Sequence, residues 1–471
     1  TDEIIPARRG NILTRDGEPL ATSLFRYQVE MDYGSPGFDS LRTFREQSDS
    51  LAKLLALYFR DKSAAAYAQA MQREHARRYR VTYRKDTLVP RSEGGLARWW
   101  DRMRGEEFLT VKLYDTLRDH TPVALFPREI DYTEWQTLRR YPILNWNMGM
   151  TYRLRERDER VYPQGELARR TIGQVGDKGN YGVEYVLRDV LEGRDGKARR
   201  QRIARGFYGR VVGGDNSEPE DGLDVVTTLD LEMQDVADRA LRRQLEAQNA
   251  LWGTALVMEV ATGDLLAMAN LSRTKSGAYA EVKNHALSSR MEPGSTFKLA
   301  ALLALVDDAG MSLDETFDTG NGARVKVGRT TVQDSHGLPP LNLKDAVAHS
   351  SNVFFARAVY ETYKDDPERY VDYLRHLHLD RTVGLEEFGA VAPIFPAPGM
   401  KIWYPDVSIV NMGYGYAIEL TPLHTLTLYN AVANDGCMVA PRLVREIRRG
   451  GEVVERPERR VLVDKICSSS A

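Results

Sequence analysis

Three observations predict an α+β fold. Strand patterns broken by turn residues come first, two apolar strands about a tight turn follow at 255–269, and helical segments dominate beyond them. At 471 residues the chain is too long for one ordinary domain, so a small and a large one are expected. Apolar residues at 42% and charged residues at 28% supply enough surface for real cores and exclude global disorder.

Residues 1–36 alternate short apolar runs with turns such as Asp16-Gly17, which reads as strands. Leu41, Phe44, Leu51, Leu54, Leu55 and Tyr58 then stand largely at helical spacing, and a second helix is predicted over 63–78. Residues 80–160 mix charge with aromatics, including Trp99-Trp100 and Trp135, show no period and are assigned only loosely. Strands and tight turns are predicted over 162–213, where Gly173, Gly176, Gly179 and Gly182 recur without the order of a phosphate-cradling loop. The polar run 216–222 divides the chain into 1–222, with a helical insertion at about 35–160, and 223–471.

In the second part Asp230 is placed to cap a helix whose Met233, Val236, Ala237, Ala240 and Leu241 share the packed face. The stretches 255–260 and 265–269 form an antiparallel hairpin. A late helix is punctuated by Thr421 as cap, Pro422 at its first position and Gly436 as stop.

Composition excludes several function classes. Lys+Arg 65 against Asp+Glu 67 gives no global drive toward nucleic acid, and the runs Arg199-Arg200-Gln201-Arg202 and Arg448-Arg449 read as solvated faces. Cys437 and Cys467 stand thirty positions apart with no zinc-type spacing, so neither a disulfide framework nor a metal site is indicated. No cofactor is expected. No stretch approaches the roughly 18–20 apolar residues that span a bilayer, and no signal-peptide pattern opens the chain. The expectation is an excised piece with its anchor upstream of Thr1.

The chemistry centres on Ser295. Pro293-Gly294 breaks the chain before it and the apolar run 297–306 follows, so Ser295 opens a buried helix. Lys298, one turn on, projects from the same face and can take the hydroxyl proton if burial lowers its own pKa. Backbone N–H groups at that terminus are candidates to hold an oxyanion. Ser-x-x-Lys also occurs at Ser50/Lys53, inside a helix, and at Ser272/Lys275, running into a polar loop, and both read as chance. Ser350-Ser351-Asn352 sits between apolar segments, where a hydroxyl can relay a proton and an amide can bind a carbonyl; the bland reading is a helix cap.

Ser-x-x-Lys followed by Ser-x-Asn resembles the signature of the penicillin-binding proteins. Arg9-Gly10-Asn11-Ile12 with Arg15-Asp16-Gly17 resembles the opening motif of the class B pedestal domain, and Gly182-Val183-Glu184 with Leu191-Glu192-Gly193 a later one. Thr228-Leu229-Asp230 with Gln234 resembles the start of the transpeptidase domain, and Gly413-Tyr414-Gly415 with Thr421-Pro422 and 433–436 its later helical part. Thr14, Asp16 and Met291 depart from the usual residues, and 35–160 carries no motif of the family.

The third motif, Lys-Thr-Gly, does not follow Ser-x-Asn. Lys275-Ser276-Gly277 precedes the nucleophile in a polar loop and reads as coincidence. The resemblance therefore implies a transpeptidase domain that is C-terminally incomplete, with its catalysis impaired.

The resemblance further implies a serine D,D-transpeptidase that cross-links peptidoglycan stem peptides and is trapped by β-lactams. It acts at the extracytoplasmic (periplasmic) face of the membrane beside a membrane-embedded glycosyltransferase and divisome proteins. Its catalytic residues are Ser295, Lys298, Ser350 and Asn352, and Asn at 352 resembles the septal, FtsI-like subgroup. The alternatives are a β-lactamase or β-lactam sensor, neither of which needs the pedestal motifs, and a non-catalytic scaffold, which does not need the four side chains.

Overall fold

The structure is a computed structural model that describes residues 2–471 except 92–94, 106–107, 147–150, 178, 205–206 and 211–215. The chain opens with strands β1 (Asp2–Ile5), β2 (Ile12–Leu13) and β3 (Pro19–Met31), followed by helices α1 (Leu41–Phe59) and α2 (Ala64–Arg78). Next come β4 (Tyr79–Pro90), α3 (Gly95–Met103), β5 (Phe108–Arg118), β6 (Val123–Ala124), α4 (Tyr132–Leu138) and β7 (Tyr152–Val161). Three helical turns, α5 (Arg169–Ile172), α6 (Gly182–Val186) and α7 (Arg188–Leu191), precede β8 (Gly196–Ala204) and β9 (Phe207–Arg210). The later part begins with β10 (Asp224–Thr227), α8 (Leu231–Gln248), β11 (Trp252–Met258), β12 (Leu265–Arg273), β13 (Tyr279–Ala280) and α9 (His285–Ser288).

Beyond α9 lie a 3-10 turn (Gly294–Phe297), α10 (Lys298–Leu303) and a π-helical turn (Ala304–Asp308). The short strands β14 (Thr316–Phe317), β15 (Val325–Val327), β16 (Thr330–Val332) and β17 (Leu341–Asn342) lead to α11 (Leu343–His349), α12 (Asn352–Tyr363) and α13 (Pro367–His376). The chain closes with α14 (Ser408–Met412), α15 (Pro422–Ala433) and strands β18 (Met438–Val439), β19 (Val444–Arg449), β20 (Glu452–Glu455) and β21 (Val461–Val463).

Contacts divide the chain into two units that interleave in sequence. The smaller holds 1–5, 23–160 and 196–218, and the larger holds 6–22, 161–195 and 219–471. This differs from the linear division at 222/223, because backbone pairing in the larger unit joins distant segments: β2 runs parallel to β10, with Val225 opposite Ile12.

The smaller unit is built on α1 and α2, whose N-caps Ser40 and Ser63 accept from Thr43 and Ala66 N–H groups. Phe38 and Phe44 meet edge to face at 5.1 Å, and the His75 ring stacks on Phe44 at 4.2 Å. With Val29, Met31, Leu51 and Leu55 they form its core, each side chain worth about 1.5–3 kcal/mol on burial. Strands β4 and β5 pair along their whole length as a two-stranded ribbon, with Tyr79 opposite Arg118 and Pro90 opposite Phe108. Both faces of the ribbon are largely exposed, so the polar-apolar alternation that marks a strand is missing.

In the larger unit β20, β19, β10 and β2 pair in that order, and the start of β3 follows β2. A second sheet, β11-β12-β13, carries α8. Asp230 caps α8 by accepting from Met233 N–H, as expected, but the packed face is not the expected one. Gln234, Ala237, Asp238 and Leu245 are buried, while Met233 and Val236 are 43% and 60% exposed. The cause is a polar anchor: Gln234 accepts from Met268 N–H at 2.7 Å and donates to Met268 O at 3.3 Å, which turns that residue inward.

The segment 162–195 is also not the run of strands expected. It forms α5, α6 and α7, each of four or five residues and too short to show a helical period. Gly173 and Gly182 both have positive φ, and a Cβ on Gly173 would stand 1.8 Å from Tyr181 O, so these glycines permit the close backbone crossing. Helix α15 starts at Pro422 as expected, although the Thr421 hydroxyl bonds His424 Nδ1 at 2.7 Å rather than the backbone. The side chains of 199–202 lie outside the described ones, whereas Arg448 pairs with Glu446 at 2.7 Å.

Candidate active site

The first pedestal-type motif and the second meet in the larger unit. Arg9 donates from Nη2 and Nε to Glu184 Oε2 at 2.9 and 3.1 Å, and Gly10 N–H donates to Leu191 O at 2.8 Å. Asn11 then ties this segment to β10, its N–H and Nδ2 donating to Asp224 Oδ1 at 2.7 and 2.9 Å. Both donors converge on one carboxylate oxygen, and Arg9 Nη2 also reaches Glu184 O at 3.2 Å, a charge-assisted set of contacts.

Ser295 lies in the 3-10 turn that leads into α10, so the helix opens tighter than the expected α-helical start. The side chain of Ser295 is exposed, while Phe297 and Lys298 are buried at 1% and 6% exposure. Its N–H stands in the first turn, where no preceding helical turn supplies a carbonyl. The turn is held from behind: Gly294 N–H donates to Gly415 O at 2.9 Å, and Ala417 N–H donates to Glu292 Oε1 at 3.0 Å. Gly415 has φ +89, and a Cβ there would fall 1.9 Å from Gly294 O. The glycine in the motif Gly413-Tyr414-Gly415 is therefore a requirement of this contact.

Ser350 closes α11 in the left-handed region, with φ 54 and ψ 43, and Ser351 caps α12. The helix-cap reading of this motif is thus correct for Ser351, which accepts from Phe354 N–H at 3.0 Å. Ser350 and Asn352 instead face Lys298. Its Nζ donates to Ser350 O at 2.5 Å, Asn352 Oδ1 at 2.7 Å, Ser350 Oγ at 3.0 Å and Ser295 Oγ at 3.2 Å. All four residues singled out in the sequence are thereby brought to one nitrogen. The Phe355 ring lies 5.8 Å from Nζ, and burial in this setting pushes the lysine down to about 8, with the Asp334 charge opposing the shift.

Asp334 is the residue that sequence reasoning missed. It is buried, accepts from Ser351 Oγ at 2.8 Å, and takes the N–H groups of Asn352 at 2.5 Å and Val353 at 3.1 Å. A carboxylate at the N-terminus of α12 is favourably placed against the helix dipole. The two chance Ser-x-x-Lys matches lie elsewhere: Ser50 Oγ donates to Glu46 O within α1, and Ser272 on β12 bonds His285. Lys275-Ser276-Gly277 lies between β12 and β13, in a turn closed by Gly277 N–H donating to Thr274 O.

An exposed hydroxyl held against a buried amine is the arrangement of serine acyl-transfer enzymes that use lysine as base. Residues 253–468 match the penicillin-binding protein transpeptidase domain, and residues 4–227 match the penicillin-binding protein dimerisation domain. The chain belongs to the class B penicillin-binding proteins.

Among its relatives is penicillin-binding protein PbpB of Mycobacterium tuberculosis, 30% identical over 305 residues, covering 61% of this chain and 43% of that protein. The probable peptidoglycan D,D-transpeptidase PenA of Neisseria meningitidis is 27% identical over 292 residues, covering 60% of this chain and 48% of that protein. The chain thus spans less than half the length of these curated relatives. Penicillin-binding protein 2X from Streptococcus thermophilus shares the fold with a TM-score of 0.69 at 19% identity, covering 100% of this chain and 64% of that chain. Among the described residues no helix is long and apolar enough to cross a membrane.

Proposed function

We propose that this protein is a peptidoglycan D,D-transpeptidase that works through an acyl-enzyme on Ser295. The observation that carries the proposal is the Lys298 amine, which reaches Ser295 Oγ, Ser350 Oγ and Asn352 Oδ1 together. An ammonium has three protons for four acceptors, and Ser295 Oγ, at 3.2 Å, is the most distant. In the neutral form two protons remain on Ser350 O and Asn352 Oδ1, and the lone pair faces the hydroxyls. Lys298 then takes the Ser295 proton as Oγ attacks the penultimate D-Ala carbonyl.

The Ser295 N–H is placed to receive the developing oxyanion. The C–N bond breaks, and the proton passes from Lys298, by way of Ser350 Oγ, to the departing D-alanine amine. An amine of a neighbouring stem peptide attacks the ester and loses its proton along the same route, which regenerates Ser295. Asn352, in place of aspartate, favours the septal subgroup, with work at the extracytoplasmic membrane face beside a glycosyltransferase and divisome proteins.

The test is intact-protein and peptide mass spectrometry of the natural full-length protein after exposure to benzylpenicillin. A lasting adduct of one penicillin on Ser295 is expected. No adduct would favour a non-catalytic scaffold, and rapid turnover of the drug a β-lactamase.

Asp334 supplies a second prediction. Asp334→Asn keeps the shape and an oxygen for the two N–H groups, but removes the charge and turns its NH2 toward the Ser351 hydroxyl, so acylation is expected to slow about 10–100-fold and stability to fall by about 1–3 kcal/mol. The pH midpoint of acylation should also move below that of the wild type, because the Asp334 charge raises the Lys298 pKa. A merely structural residue would lower the thermal midpoint and leave that pH midpoint in place.

A further inference from the structure

The helix entered through Ser295 and Lys298 is joined to the helix that carries Asn352 at both of its ends. At the near end, where α10 and α12 begin, the Lys298 amine reaches Asn352 Oδ1 at 2.7 Å. At the far end α10 passes into the π-helical turn of Ala304–Asp308, where Ala309 N–H donates to Ala304 O at 3.1 Å, five residues back. The hydroxyl of Tyr363, the last residue of α12, stands 2.8 Å from that same carbonyl and 2.9 Å from Asp308 Oδ2. Tyr363 is fully buried, and burial together with its bond to Asp308 holds the phenol above its ordinary pKa, so it remains a donor. Arg369 of α13 balances the Asp308 charge, its Nε lying 2.9 Å from the same carboxylate oxygen.

We propose that Tyr363 is a positioning residue for the acylation of Ser295, its hydroxyl fixing the register of α10 against α12 from the end opposite the active site. The inference rests on the function proposed above. Lys298 and Asp308 are separated by about the same length of helix as Asn352 and Tyr363, roughly 15 Å at 1.5 Å per residue, so the two ties close one frame. Between them α10 adds Ala300 and Ala301 to the buried cluster that it shares with Phe355 and Val359 of α12. Alanine methyls form low ridges that resist sliding weakly, whereas a hydrogen bond inside an apolar cluster has a set length and partner. The register of the two helix starts, and with it the reach of the Lys298 amine, is thereby set in part at Tyr363.

The adjacent carboxylate supplies the contrast. Asp307 accepts from the Tyr373 hydroxyl at 2.9 Å and from Ser468 N–H at 2.9 Å. Tyr373 belongs to α13, which holds none of the four site residues, so the same chemistry in the same turn ties α10 to an element outside the site.

The test is stopped-flow acylation of the natural full-length protein by a chromogenic cephalosporin, which separates the dissociation constant of the first complex from the rate constant of acylation. Y363F should slow acylation about 10–100-fold, the range for a shift of roughly 1 Å between reacting groups, and leave the dissociation constant within about twofold of the wild type. Y373F is the control: its thermal midpoint should fall about as far as that of Y363F, by about 2–4 °C, while its acylation stays within about threefold of the wild type. Acylation of Y363F at the wild-type rate would overturn the inference and leave the proposed function standing. So would equal slowing in Y363F and Y373F, because general loosening would then account for both. A wild type that is not acylated on Ser295 would overturn the function proposed above, and this inference with it.

Discussion

Replacing Lys298 by Met is expected to slow acylation of Ser295 by a β-lactam about 10³–10⁴-fold, measured with a chromogenic cephalosporin on the natural full-length protein. The estimate takes the upper range of general acid–base effects, because in the proposed mechanism the same amine serves both nucleophile activation and proton return. Arginine should not rescue, since it stays protonated throughout the accessible range. The wild type should also show a pH signature. Burial sets Lys298 at about 8, and in the proposed mechanism the neutral amine is the active form, so the rate should rise with pH. Below that value it should fall about tenfold per unit, and between pH 7 and pH 9 it should climb about tenfold before levelling. A flat profile would assign the proton to another group.

Gly415→Ala is the second large effect. The new Cβ would have to displace Gly294 O from 1.9 Å, and φ +89 adds about 1–2 kcal/mol of backbone strain for an L-residue. Because Gly294 adjoins Ser295, the strain is delivered to the proposed nucleophile. Acylation should fall at least 100-fold, with a thermal midpoint lower by several degrees. Gly399→Ala is the matched control. Gly399 has φ +85 with open space around its Cβ position, so it should show the strain alone and leave acylation near wild type.

The site was legible where local punctuation and side-chain chemistry coincide. Pro293-Gly294 and the apolar run after Ser295 announce a helix start, and three-residue spacing puts Lys298 on its face. Ser350-Ser351-Asn352 could be read as polar residues between packed segments, but not divided into a cap and two lysine partners. That division depends on the left-handed turn at Ser350. Asp334 was not legible, because it acts on a hydroxyl and two backbone N–H groups seventeen to nineteen residues away and belongs to no local pattern. The same limit hid the contact of Gly415 with Gly294.

In the fold, α1 and α2 were readable because each has one wet and one dry side, and the hairpin of β11 and β12 because two apolar runs flank a turn, β12 being buried on both faces. The β4–β5 ribbon has two wet sides, and α5 to α7 are shorter than a period, so neither leaves a signal in polarity. For α8 the period was visible and its phase was not, since a glutamine paired to a strand backbone counts as polar in the sequence and as core in the structure.

The parallel pairing of β2 with β10 and the antiparallel pairing of β10 with β19 have a consequence for folding during synthesis. One sheet in the larger unit needs Ile12, Val225 and Ile447 side by side, so it cannot close until the chain has been made past Ile447. Contacts of such high sequence separation fold slowly and leave strand edges open meanwhile. The smaller unit holds 1–5, 23–160 and 196–218 and is complete more than two hundred residues earlier. In a nascent chain it should become protease-resistant first, while β2 remains a waiting edge until β10 and β19 arrive.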